Sequence, residues 1–191
     1  SNEGFATAGG VQYVACAGNF KDAGLEYTGA LKVLQMIFSY EYLWIQIRVK
    51  GGAYGCMCSF SDQGDSMFVT YRDPNLSESY KVYDEAADYV ADFDADDRDM
   101  KKYIIGTIGS MDMPMEAVDM GARSFHAYFL GKTEADLQKV RDQVLSCTQE
   151  DIRALAPIVK AVVEAGNRCC IGNEEKIDQN KEYFDEVKHV L

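Results

Sequence analysis

The side chains best suited to chemistry stand close together, Arg48 and Tyr54 in the stretch Arg48-Val49-Lys50-Gly51-Gly52-Ala53-Tyr54-Gly55. A long apolar run, Leu31 to Ile47, ends at the cation. A glycine pair then turns the chain, and the tyrosine opens a segment that reads as a strand. Helices commonly stop where Gly supplies a positive φ, and an Arg near a helix C-terminus is well placed against the last carbonyls. A planar guanidinium and a phenol in one turn can bind a peptide carbonyl or an oxyanion. Neither cleaves a bond unaided, and no nucleophile or base accompanies them. On residue types alone the plainer reading is preferred: a helix-capping Arg beside a core Tyr.

The other constellations are weaker. Gly51-Gly52-Ala53-Tyr54-Gly55 looks like a phosphate loop, but it runs from helix into strand, whereas phosphate loops run from strand into a helix N-terminus. Asp92-x-Asp94-x-Asp96 matches the start of a calcium loop. Its sixth position is Asp97 instead of Gly and its twelfth is Tyr103 instead of Glu, so the sharp turn and the bidentate ligand are both missing. An acidic turn capping the next helix is the better reading. The two histidines, His126 and His189, fall in no zinc pattern. His126, in Phe125-His126-Ala127-Tyr128-Phe129, is expected in the core or partly buried. Cys169 and Cys170 should face opposite sides of a strand. Cys56 and Cys58 should share one side, packing on a helix.

Around these residues the pattern places a strand at 11–17 and a helix over 27–48, divided near Ser39-Tyr40. A hairpin follows, 53–60 and 67–71, turning at Asp62-Gln63-Gly64-Asp65. Asp73-Pro74-Asn75 breaks the strand and starts a helix over 76–92. Further helices are expected at 97–110, 114–130, 134–146 and 149–164, with Pro157 interrupting the last. Thr133-x-x-Asp136 and Thr148-x-x-Asp151 resemble capping boxes. A strand at 167–171 and a closing helix at 182–189 complete the chain. That order predicts an α+β fold: a two-layer sandwich, helices on one face of an antiparallel or mixed sheet. No linker or repeat divides the chain, so residues 1–191 read as a single domain.

The chain has 191 residues, 47% of them hydrophobic and 26% charged, with a net charge of -12. Such acidity argues against nucleic acid and against an anionic membrane surface. The run from Ala30 to Ile47 is too often interrupted by polar residues to cross a bilayer. The six cysteines, with no preceding signal peptide, read as reduced, partly buried thiols of a cytoplasmic protein. The chain starts at Ser1 without Met, as a trimmed piece of a longer protein would.

The block Tyr42-Leu43-Trp44 through Arg48-Val49-Lys50-Gly51-Gly52-Ala53-Tyr54-Gly55 resembles the insulinase/pitrilysin family of zinc metallopeptidases, and within it the presequence-protease subfamily. Asn2-Glu3-Gly4-Phe5, Gln12-Tyr13-Val14, Thr28 to Leu34, Tyr71-Arg72-Asp73-Pro74-Asn75 and Ile104 to Gly109 extend the resemblance. It implies the last domain of the C-terminal half of a clam-shaped peptidase that degrades short unstructured peptides. In such enzymes Zn2+ sits on an inverted His-x-x-Glu-His motif in the N-terminal catalytic half, which is the implied partner. This chain contains no such motif, so the resemblance implies no metal ligand here and an inactive isolated chain. It gives Tyr54 the role of donor to the carbonyl or oxyanion at the scissile bond, and Arg48 that of holding the substrate backbone. Two alternatives stay open: a non-catalytic structural or substrate-holding domain of the same superfamily, and an unrelated ligand-binding α+β domain.

Overall fold

The computed structural model describes residues 1–190. Six strands form one mixed sheet: β1 (Glu3–Thr7), β2 (Tyr13–Asn19), β3 (Gly55–Phe60), β4 (Asp65–Tyr71), β5 (Asn167–Asn173) and β6 (Glu186–His189), in the order β3-β4-β2-β5-β1-β6. The pairs β3–β4, β4–β2 and β2–β5 are antiparallel; β1 lies parallel to both β5 and β6. The register puts Val14 and Cys16, Phe68 and Thr70, Cys58 and Phe60, and Cys170 on one face, all buried. The fold is the α+β arrangement expected, with helices packed on that face.

Helix α1 (Ala30–Tyr40) supplies the central stripe. Leu31, Leu34 and Phe38 recur at helical spacing, with Val33 and Ile37 beside them, and all five are fully buried. The Phe38 ring lies 5.8 Å from Phe68 and 6.4 Å from Phe60, joining helix to hairpin. Helices α2 (Ser77–Asp84) and α3 (Ala86–Ala91) follow β4. From α2, the Tyr83 hydroxyl donates to the Val14 carbonyl at 3.0 Å and the Tyr80 hydroxyl to that of Cys169 at 3.1 Å. Helices α4 (Asp97–Met111), α5 (Ala117–Phe129), α6 (Glu134–Leu145), α7 (Gln149–Arg153) and α8 (Ala156–Glu164) come next, and α9 (Glu174–Gln179) follows β5. Val159 and Val162 of α8 pack on β2. Gly18 permits this approach, since a Cβ there would stand 2.5 Å from the Val162 carbonyl oxygen.

Several local signals act as their chemistry requires. Asp96 caps α4 by accepting from the Asp99 amide. Thr133 with Asp136 and Thr148 with Asp151 close reciprocal capping boxes. Pro157 sits in the first turn of α8, so 149–164 is two helices instead of one. The hairpin turns at Gly64, φ +98°.

Two expectations fail, and one strand has no counterpart in the sequence reading. Residues 186–189 are a strand and not the end of a helix; only Lys181–Tyr183 makes a short 3-10 turn. The free edge of β1 takes up this segment by parallel pairing, a long-range partner that local propensity does not report. β1 itself was not anticipated, because Gly4 blurs its alternation. His126 is exposed and not core, because α5 buries none of its residues.

Candidate functional site

After α1 the chain breaks at Glu41 and continues as a wide π-helical segment, Trp44–Lys50. Ile47 is its buried anchor, while Trp44, Arg48, Val49 and Lys50 face outward. Its end is tied by backbone bonds of increasing span: Gly52 N–H to the Arg48 carbonyl at 3.0 Å, Gly51 to Gln46 at 3.1 Å, Ala53 to Ile47 at 3.1 Å. Gly52, at φ +82°, allows the reversal. Single π turns of this kind gather at functional sites.

The neighbouring loop holds this turn in place. The Asn75 side-chain amide donates to the Gly51 carbonyl at 2.6 Å, and the Tyr54 amide to that of Arg72 at 3.3 Å. Arg72 is the one non-glycine residue at positive φ among the described residues, +50°. Behind it the fully buried Asp73 carboxylate accepts from the Ser79 hydroxyl at 2.6 Å and the Asn75 amide at 2.9 Å. Burial pushes the Asp73 carboxyl up, against the pull of these hydrogen bonds. Gln12 closes the loop by exchanging backbone hydrogen bonds with Asp73 at 2.7 and 2.8 Å.

On this base the two anticipated residues come together at the rim of the sheet. The Arg48 guanidinium carbon lies 4.1 Å from the centre of the Trp44 ring and 5.9 Å from that of Tyr54. No carboxylate of the described residues is within ion-pair distance of Arg48, which is exposed. Tyr54 is 67% exposed, not a core residue. Its ring meets that of Tyr71 edge-on at 5.8 Å, and Tyr71 meets Tyr13 at 5.5 Å. Trp44, Tyr71 and Tyr13 were not singled out from the sequence. Trp44 stands four residues before Arg48, the spacing that stacks neighbours on a helix, and that signal was available.

Among the described residues, no helix covers the second face of the sheet along this row. Tyr13, Ile171, Met57, Met67 and Tyr71 all project from it and are exposed. The arrangement is an apolar wall with two hydrogen-bond donors at one corner. It can hold an extended polymer by its side chains and polarise a carbonyl at the corner. On the opposite face of β3, burial pushes the Cys56 thiol up to about 11, although Arg48 pulls the other way, which works against a nucleophilic role. Cys169 and Cys170 face opposite sides, as expected, and all six cysteines are free. Among the described residues no three His, Cys, Asp or Glu side chains could hold a metal ion together. No helix among them is long and apolar enough to cross a membrane.

The architecture places the chain in a structural class. It superposes on the peptidase M16 inactive domain from Pseudomonas fluorescens with TM-score 0.63 and 15% identity, over 90% of this chain and 43% of that one. On pitrilysin the TM-score is 0.56 at 13% identity, over 90% of this chain and 19% of that one. These likenesses are of fold. The family follows from sequence: residues 2–173 match the model described as the PreP C-terminal domain, so the chain belongs to the presequence-protease C-terminal-domain family. It is 43% identical over its whole length to 20% of Protein HypA of Clostridium perfringens. It is 34% identical, again over its whole length, to 18% of presequence protease 1 of Arabidopsis thaliana. The chain thus spans about a fifth of the length of these curated relatives.

Proposed function

We propose that this chain is the substrate-binding and transition-state-stabilising domain of a zinc metalloendopeptidase that degrades short unstructured peptides. The observation that carries this reading is the pair itself: an exposed phenol and an exposed guanidinium, 5.9 Å from ring centre to guanidinium carbon, beside an open apolar wall. The nucleophile and any zinc belong to an N-terminal catalytic half that these residues do not include. What this chain contributes is positioning and charge stabilisation. Arg48, steadied by Trp44, fixes a backbone carbonyl of the extended peptide. The Tyr54 hydroxyl donates to the carbonyl oxygen as negative charge grows on it. A donor aimed at that oxygen strengthens in the transition state, so it accelerates the chemical step beyond aiding binding. Because the donors and the nucleophile lie on separate parts, turnover requires the parts to close together.

The test is steady-state kinetics of the parent protein on a short unstructured peptide. Tyr54→Phe lowers kcat by about tenfold or more, the range seen on removing one oxyanion donor. Arg48→Ala mainly raises KM. Wild-type turnover in Tyr54→Phe refutes the role. It would favour a second reading, a non-catalytic substrate-holding domain, which the word "inactive" in the name of the Pseudomonas relative supports. Under that reading the parent gene lacks an upstream His-x-x-Glu-His.

A further inference from the structure

A second cleft lies away from the rim, between α1, the β3–β4 turn, α5 and the start of α6. It encloses about 800 Å³. Its walls are apolar at Tyr27, Phe60, Leu137 and Val140, and its floor and lip carry cations in a protein of net charge -12. Lys132 is paired with Asp62. Burial pushes the Asp62 carboxyl up, but the hydrogen bond and charge of Lys132 outweigh it and hold the acid below its ordinary range. Lys32 and Arg123 have no such partner: no carboxylate of the described residues is in ion-pair contact with either. Arg123 reaches only the Met115 sulfur, at 3.9 Å. The nearby Asp112 is already taken in a two-pronged grip by Arg141, at 2.6 and 2.7 Å.

These two cations lie within electrostatic reach of each other. Burial lowers the Lys32 ammonium from its ordinary value; Asp62 opposes this, while Arg123 and Lys132 add to it. An anion seated between Lys32 and Arg123 would relieve both the desolvation and the repulsion. Three cations and two carboxylates, Asp62 and Glu134, line the cleft with His126 left aside, so one unit of positive charge is uncompensated. That balance suits a single carboxylate better than a phosphate dianion. Guanidinium geometry matches a carboxylate in the same way, and the apolar walls suit a hydrocarbon side chain beside it.

We infer that this cleft binds the free C-terminal carboxylate of a short peptide whose last residue is apolar, held between Lys32 and Arg123. The inference rests on the peptidase reading only for the source of such peptides. Binding itself needs neither the rim nor a catalytic partner.

The experiment is an NMR titration of this 191-residue chain with an N-acetylated tripeptide ending in leucine, as free acid and as amide. The acid is expected to shift resonances of Lys32, Arg123 and Leu137, and the amide to bind about tenfold more weakly, as loss of a partly desolvated charge pair implies. Lys32→Gln and Arg123→Gln each remove the preference for the acid. Arg123 is exposed on α5, so its variant tests the site even if replacing the half-buried Lys32 disturbs folding. Tyr54→Phe leaves the preference intact, which separates this site from the rim. Equal binding of acid and amide, no binding of either, or a preference that survives Arg123→Gln overturns the inference. So does inorganic phosphate that displaces the peptide and induces the same shifts at equal concentration, because the cleft would then read charge alone.

Discussion

Two parts of this molecule expose aromatic side chains, and they do so on opposite terms. At the rim, Trp44, Tyr54 and Tyr71 stand on a base fixed by Ile47 of the hydrophobic core and by the hydrogen-bonded Asp73 and Asn75. On α5, Tyr128 is 82% and Phe129 70% exposed, and the helix has no buried residue beneath them. The Phe125–Phe129 contact, 4.6 Å between ring centres, joins residues of the same helix and anchors nothing to the sheet. Exposed apolar surface on a rigid base can present donors at fixed positions, as a binding site requires. On α5 the same surface has no buried residue beneath it and is left open to whatever packs beside it. An amphipathic sequence makes a helix in either case, and the partner decides what the apolar stripe does.

Urea unfolding can break this comparison. Phe38→Ala, under the hairpin that supports the rim, costs about 3–5 kcal/mol, the usual range for a buried Phe. A cost comparable with a surface substitution would show that the hairpin is not supported from α1. Gly52→Ala costs about 1–2 kcal/mol, because an alanine must adopt a left-handed backbone at φ +82°. Space is not the obstacle, since the nearest atom to an added Cβ is on Pro74 at 3.6 Å. A neutral result would mean that the turn relaxes, and with it the spacing of Arg48 and Tyr54. Trp44→Leu removes a cation–π contact of about 0.5–1 kcal/mol. If the proposed role holds, in the parent protein it raises KM for a peptide while Trp44→Phe restores it, an asymmetry that loss of general packing would not produce. Phe129→Ala on α5 changes stability by less than about 0.5 kcal/mol. A larger loss would mean that α5 is gripped after all.

Much of the fold was legible because its signals are local. The wide apolar stripe of α1, the glycine turn of the hairpin, the threonine capping boxes and the Pro157 break each depend on residues a few positions apart. What was missed depends on distant partners. Nothing inside Glu186–His189 says that it will pair with Glu3–Ala6. Nothing inside Phe125–Phe129 says that the ring faces will find no core. The site divides in the same way. Arg48 and Tyr54 were visible as residue types on a turn, yet those types alone favoured a buried tyrosine, and Trp44 and Tyr71 entered only as motif residues with no role.

The sequence by itself determined the α+β class, the turn at Gly51-Gly52 and membership of a peptidase family, because periodicity, backbone freedom and shared motif residues are properties of the chain. Only the tertiary structure decided that the phenol is outside, that a tryptophan holds the guanidinium beside it, and that one sheet face is left as an open apolar wall. Exposure and ring contacts arise from which segments meet across the sheet, and that is set by packing between residues far apart in the chain.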